Sequence, residues 1–177
     1  MRHLIGFFLI GVCWQAAYGH SDSIKVYIFL GEECVISQYY TLPLKTLHEE
    51  YENKGIDFVG LFPSPGSDTA SRQSFQNKYQ LPFELQKDTA QAWMHHFGVR
   101  VTPEVVVVEE SSGKILYQGR IDDTYFQVGR RRPVTRNHEL SDALQAISMG
   151  KEVPVDRTEA VGCIITRVGE KPAIHSH

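Results

Sequence analysis

Two cysteines and one proline carry the chemistry that this sequence makes available. Cys34 lies in the stretch Phe29-Leu30-Gly31-Glu32-Glu33-Cys34-Val35-Ile36-Ser37, just past an apolar run and at the start of an amphipathic one. A thiol where a strand hands over to a helix meets unsatisfied backbone N–H groups and the positive end of the helix dipole. Both favour the thiolate, the form that attacks. Glu32 and Glu33 oppose this by favouring the protonated thiol, so the sequence alone does not sign the net shift. Cys163 lies in Ala160-Val161-Gly162-Cys163-Ile164-Ile165-Thr166, an apolar segment that can pack back on the globule, where burial favours the neutral thiol. Cys34 is therefore the expected attacking group. The pair leaves three readings open: a redox couple, a staple for the C-terminal tail worth about 2–4 kcal/mol, or two halves of a site for a soft metal such as Cu(I). A disulfide closes without backbone movement only if the two Cα atoms lie within about 7 Å.

The proline is Pro103, in Val101-Thr102-Pro103-Glu104 ahead of the run Val105–Val108. Proline at the mouth of a central strand fits at the strand's first residue, where no ladder donor is needed. His95 and His96 close the helix expected before this loop. Histidines there are usually solvent-facing or satisfied at the helix C-terminus; His96 is the one that would complete the alternative metal set Cys34, His96 and Cys163. His175 and His177 are scattered in the final residues and are weak evidence for a metal.

The rest of the chain must position these groups. Its 177 residues suit one core, and 42% hydrophobic with 22% charged residues marks an ordinary globular composition. The formal charge of −3 gives no reason to expect a nucleic-acid partner. Met1-Arg2-His3 followed by the apolar stretch Leu4 to Trp14 reads as a secretory leader, too short to span a bilayer, with cleavage expected before His20 after Ala17-Tyr18-Gly19. Processing at Cys13 is the less favoured route, because Val12 stands where a lipoprotein peptidase wants a small residue. The expected division is residues 1–19 as leader, 20–152 as the folded domain and 153–177 as a tail carrying Cys163, in a protein exported to the periplasm or beyond with no stable membrane span after cleavage. Removing the leader leaves an even pair of cysteines in a compartment where disulfides persist.

Strands are expected at Lys25–Leu30, Ile56–Phe62, Val105–Val108 and Lys114–Ile121, from β-branched and aromatic runs closed by Gly and Pro. Helices are expected from Val35 to Asn53 with a kink near Pro43, from Thr69 to Tyr79, from Thr89 to Phe97 capped by Asp88, and from His138 to Met149. A brief extended piece covers Phe83 to Leu85. The run Arg130-Arg131-Arg132 with Arg136 reads as a solvated loop, tethered by Asp122 and Asp123. Parallel βαβ units first and a hairpin later point to a mixed sheet with helices on both faces.

A strand-end cysteine with Val-Thr-Pro before a later central strand resembles the thioredoxin superfamily, and the likeness runs from Lys25 to about Met149. It implies an α/β, thioredoxin-like mixed sheet flanked by helices on both faces. It also implies a cis bond before Pro103 that brings the proline against Cys34, and a docking role for Thr102, Pro103 and Ser37. The departures from the superfamily's known sites are as informative. The C-x-x-C pair becomes Cys34-Val35-Ile36-Ser37, so the local resolving thiol is missing. Gly31 and Tyr27 replace the Thr or Ser and the Pro that peroxiredoxins carry, and Gln38 replaces the second cysteine of the cytochrome-oxidase copper chaperones. The pattern is most similar to exported bacterial redoxin-like proteins that pair Cys-x-Ile-Ser with a C-terminal Gly-Cys, here Gly162-Cys163. The resemblance implies a thiol:disulfide oxidoreductase that acts on protein thiols or disulfides through Cys34, with Cys163 resolving and no cofactor. A soft-metal module and a catalytically silent interaction domain are the competing expectations.

Overall fold

The computed structural model describes residues 23–169. The expected leader, its cleavage site before His20, Cys13, His175 and His177 all lie outside the described residues.

Strand β1 (Ile24–Phe29) is the middle of the fold because its side chains are apolar on both faces. Val26, Ile28 and Leu30 enter one core while Tyr27 and Phe29 enter a second. β2 (Ile56–Phe62) runs parallel to it, and β5 (Glu104–Glu109) antiparallel on its other side. The valine run of β5 divides in the same way, with Val105 and Val107 on one face and Val106 and Val108 on the other. Strands β3 (Glu84–Lys87) and β6 (Lys114–Gly119) complete a five-stranded mixed sheet in the order β3-β2-β1-β5-β6. Period-two burial on both faces is what a sheet sandwiched between layers requires.

Helix α1 (Val35–Tyr51) covers the first face with Ile36, Tyr40 and Leu44, spaced by one turn each. It runs as one helix of 17 residues through Pro43. It stops at Tyr51, short of Asn53, because Glu52–Lys54 tighten into a 3₁₀ turn closed by Gly55 at φ 74°. Helix α2 (Thr69–Tyr79) adds Phe75 to the same core. Its start is fixed by a reciprocal capping box: the Asp68 carboxylate accepts from the Ser71 N–H at 2.7 Å, and the Ser71 hydroxyl accepts from the Asp68 N–H at 3.1 Å.

The second face is covered by α3 (Ala92–Phe97), which contributes Met94 and Phe97. This helix begins three residues later than the sequence suggests. Ala90 and Gln91 adopt left-handed backbones (φ 55° and 56°), and the Asp88 carboxylate reaches past them to accept from the N–H groups of Trp93 at 2.9 Å and Met94 at 2.8 Å. After β4 (Val101–Thr102) and the β5–β6 hairpin, the arginine run is no loop. It forms a small hairpin of β7 (Tyr125–Gln127) and β8 (Arg130–Arg131). Arg132 is the arginine tethered to the Asp123 carboxylate, at 3.2 Å, while Arg131 lies over the Tyr39 ring. Helix α4 (Glu139–Ser148) returns Leu140, Ala143 and Leu144 to the first core.

From Pro154 the chain runs back over the domain. Asp156 to Thr158 lie alongside β6: the Gln118 N–H donates to the Asp156 carbonyl at 2.9 Å, and the Thr158 N–H donates to the Gln118 carbonyl at 3.0 Å. β6 ends at Gly119, not Ile121, and a Cβ at that last residue would sit 2.4 Å from the Thr158 carbonyl oxygen, so glycine is what fits beneath the returning segment. The chain then forms β9 (Cys163–Ile164) and buries Ile165 in the second core.

Candidate functional site

Cys34 takes its place from the first strand. The Leu30 N–H donates to the Leu61 carbonyl at 2.8 Å, keeping the chain aligned with β2 until Gly31 turns it. That turn sets Cys34 at the N-cap of α1 with an extended backbone (φ −77°, ψ 110°). A Cβ on Gly31 would stand 3.0 Å from the Thr102 hydroxyl oxygen and 3.3 Å from the Cys34 Cβ, so the two sides of the site close tightly here. Cys34 is 5% exposed, and its thiol donates to the Thr102 carbonyl at 3.0 Å. The Thr102–Pro103 peptide bond is cis. Ser37, one turn into α1 and fully buried, accepts the Gly31 N–H at 3.2 Å.

Cys163 reaches the same place from the other end of the chain. β9 pairs antiparallel with β4, setting Cys163 opposite Thr102 and Ile164 opposite Val101. The approach depends on Gly162, whose Cβ would lie 2.2 Å from the Thr102 carbonyl oxygen. Both cysteines are free thiols, and both line a cleft of about 400 Å³ together with Glu32, Glu33, Pro63 and Ser67. The Glu32 carboxylate is engaged by the hydroxyls of Ser67 and Ser71 across the cleft.

The electrostatics divide the two thiols. Burial by itself raises the Cys34 thiol. Hydrogen bonding from the Cys163 thiol, from the backbone and hydroxyl of Ser37 and from the Cys163 backbone stabilises the anion by more, and the net shift is downward. Cys163 moves the other way: burial, then its hydrogen bond to Cys34 and the charge on Cys34, push it up to about 12. Of the two thiols, Cys34 is the one that gives up its proton more readily, and Cys163 keeps its own.

The structure therefore brings together Cys34, Ser37, Thr102, Pro103 and Cys163 and leaves His96 out. The His96 ring packs at 4.7 Å from the ring of Phe97 and 6.0 Å from that of Trp93, and it does not line the cleft. Among the described residues no group of three or more His, Cys, Asp or Glu side chains is arranged to hold a metal ion, so the set Cys34, His96 and Cys163 is not assembled. Sequence reasoning named Gly162 only as half of the Gly-Cys pair, and it missed Gln91, whose side chain joins Pro63 to the C-terminal segment. A glycine beside a cysteine in an apolar run signals close backbone approach. Gln91 gave no signal, because its role rests on a left-handed backbone that glutamine does not advertise.

A mixed five-stranded sheet between two helical layers, with a strand-end cysteine facing a cis-proline loop, defines a thioredoxin-like fold. Solved structures share it. An uncharacterized conserved protein from Geobacillus kaustophilus aligns over 86% of this chain and 79% of its own, with a TM-score of 0.73 and 23% identity. A hypothetical protein from Sinorhizobium meliloti aligns over 85% and 83%, with a TM-score of 0.72 and 19% identity. A secreted Mycobacterium tuberculosis disulfide oxidoreductase homologous to E. coli DsbE aligns over 71% and 82%, with a TM-score of 0.52 and 20% identity. No family model matches the chain, and no curated protein matches its sequence.

Proposed function

We propose that this protein is an exported thiol:disulfide oxidoreductase in which Cys34 attacks and Cys163 resolves, residues 20–152 forming the redox domain and 153–177 its tail. The observation that carries this reading is the meeting of both thiols at one residue, Thr102, whose carbonyl accepts from Cys34 and whose strand partner is Cys163. The Mycobacterium tuberculosis neighbour, a secreted disulfide oxidoreductase by description, supports the same class and the same side of the membrane. No helix among the described residues is long and apolar enough to cross a membrane.

The reaction follows from the order in which the two thiols ionise. The Cys34 thiolate attacks one sulfur of a disulfide RSSR; the S–S bond breaks, RS⁻ leaves, and Cys34–S–S–R forms. Cys34 is then neutral, so two of the causes that held Cys163 protonated, the hydrogen bond to Cys34 and its charge, disappear. Cys163 loses its proton and attacks the Cys34 sulfur, releasing the second RS⁻. RSSR is reduced to two RSH, and the two cysteines are oxidised to one disulfide. Run backwards, the same steps deliver the disulfide to a dithiol. Ser37 supplies donors that steady the Cys34 anion but no sulfur, so resolution passes to the tail.

The test is to label the reduced protein with limiting thiol reagent and map the product by mass spectrometry, then to follow exchange with a small disulfide. Modification at Cys34 first, and a Cys34–Cys163 disulfide as the end product, are expected. Faster labelling of Cys163, or exchange that survives Cys34→Ser, overturns the assignment.

A further inference from the structure

A two-residue strand does not hold a thiol in register by itself. β9 is such a strand, and Ile164 within it is 85% exposed. The chain just past β9 is anchored twice. Ile165 donates its N–H to the Arg100 carbonyl at 3.0 Å and buries its side chain in the second core. Beyond that, the Gln91 side chain grips the tail. Gln91, 1% exposed, donates from Nε2 to the Thr166 carbonyl at 2.7 Å and to the Pro63 carbonyl at 2.9 Å, and its Oε1 accepts from the Val168 N–H at 2.9 Å. Every polar atom of this amide is used, and two of its three bonds go to the tail.

The backbone around Gln91 is built for this grip. Ala90 and Gln91 are consecutive non-glycine residues in the left-handed region, a conformation that persists only where the surroundings enforce it. The turn delays α3, and the Gln91 amide reaches Pro63, which lines the Cys34 cleft, as well as the tail three and five residues past Cys163. The attacking cysteine's cleft and the resolving cysteine's strand are thereby joined through one amide.

We infer that Gln91 is a positioning residue that clasps the C-terminal strap and sets the effective concentration of Cys163 at Cys34. The inference rests on Cys163 being the resolving thiol. Gln91 touches neither sulfur and takes no part in the first attack. It governs the second step, in which the Cys163 sulfur bonds to Cys34 and the leaving thiolate departs, because intramolecular attack depends on alignment.

The experiment is to equilibrate the protein with reduced and oxidised glutathione and read the effective concentration of the Cys34–Cys163 dithiol, alongside the rate at which Cys34 opens a small disulfide. Two variants are compared. Gln91→Leu keeps the bulk and removes all three bonds. Val168→Pro removes only the N–H that Gln91 accepts, at an exposed position, and keeps the test available if Gln91→Leu fails to fold. Gln91→Leu is expected to lower the effective concentration about tenfold to a hundredfold, or about 30 mV in potential per tenfold. Val168→Pro lowers it less, the double variant loses no more than Gln91→Leu alone, and the rate of attack by Cys34, read at a pH where Cys34 is fully thiolate in every variant, is unchanged in each. A wild-type protein that forms no Cys34–Cys163 disulfide overturns both this inference and the reading beneath it. A wild-type disulfide whose effective concentration neither variant moves overturns the clasp alone, as does an equal loss in attack and closure.

Discussion

Gly162→Ala is the substitution whose effect the geometry specifies most closely. The added Cβ would meet the Thr102 carbonyl oxygen at 2.2 Å, the Thr102 carbonyl carbon at 2.6 Å and the Pro103 nitrogen at 3.2 Å, all of them backbone atoms that cannot rotate away. Ordinary contact begins at 3.4 Å, so β9 must withdraw from β4 by about 1 Å. Gly162 does not use a backbone conformation reserved for glycine, so the whole effect is one of space. Overpacking of this kind costs about 1–3 kcal/mol, and each kcal/mol lowers Tm by about 2–4 °C in a chain of this size. The larger consequence is chemical: a misplacement of about 1 Å slows an aligned intramolecular step by about a hundredfold. Stopped-flow mixing with an aromatic disulfide whose released thiolate is coloured separates the two steps, one equivalent marking attack by Cys34 and a second marking closure by Cys163. At a pH where Cys34 is fully ionised, the expected variant keeps the first phase and loses the second. Closure at the wild-type rate in a folded Gly162→Ala protein would refute the claim that β9 brings Cys163 to Cys34.

Three further outcomes are expected. Cys34→Ser abolishes exchange and capture of disulfide partners, whereas Cys163→Ser leaves attack intact and lengthens the life of the mixed disulfide, both visible on non-reducing gels. Alkylation of Cys34 reaches half its maximal rate at a lower pH than for an ordinary thiol; in Cys163→Ala the midpoint rises, because burial remains while the hydrogen bond from the neighbouring thiol is lost. Tyr40→Phe removes the hydroxyl that donates to the buried Asp122 carboxylate at 2.5 Å, and thermal unfolding is expected to show a loss of about 1–3 kcal/mol.

The strands and long helices were legible because their apolar spacing records burial on one or two faces. Val105–Val108 reads as buried on both sides, and it is. Pro103 was legible because few places tolerate a proline at a central strand, and Cys34 because it stands at a strand-to-helix junction. Boundaries failed where backbone geometry overrides pattern. Ala90 and Gln91 carry helix-compatible side chains on left-handed backbones, and β6 ends at Gly119, against which Thr158, 39 residues further on, is packed. The set Cys34, His96 and Cys163 does not assemble for a related reason: sequence puts His96 one helix away from the proline loop but cannot say that its ring packs on Trp93 and Phe97. The arginine run concealed a hairpin because Gly129, at φ 76°, permits a turn that charge density hides.

The stretch from Asp156 to Thr158 has a second consequence, unrelated to sulfur. β6 is an outer strand of the sheet, and an outer strand presents unpaired backbone groups to which any other extended chain can add. Here Gln118, the fifth residue of β6, has both backbone groups taken by Asp156 and Thr158, while Thr158 also accepts the Arg120 N–H at 3.1 Å through its hydroxyl. The opposite margin, β3, is only four residues long and carries exposed Glu84, Gln86 and Lys87. One margin is thus blunted by length and charge and the other by the chain's own return, so the segment that delivers Cys163 also denies neighbouring molecules a template for edge-to-edge aggregation.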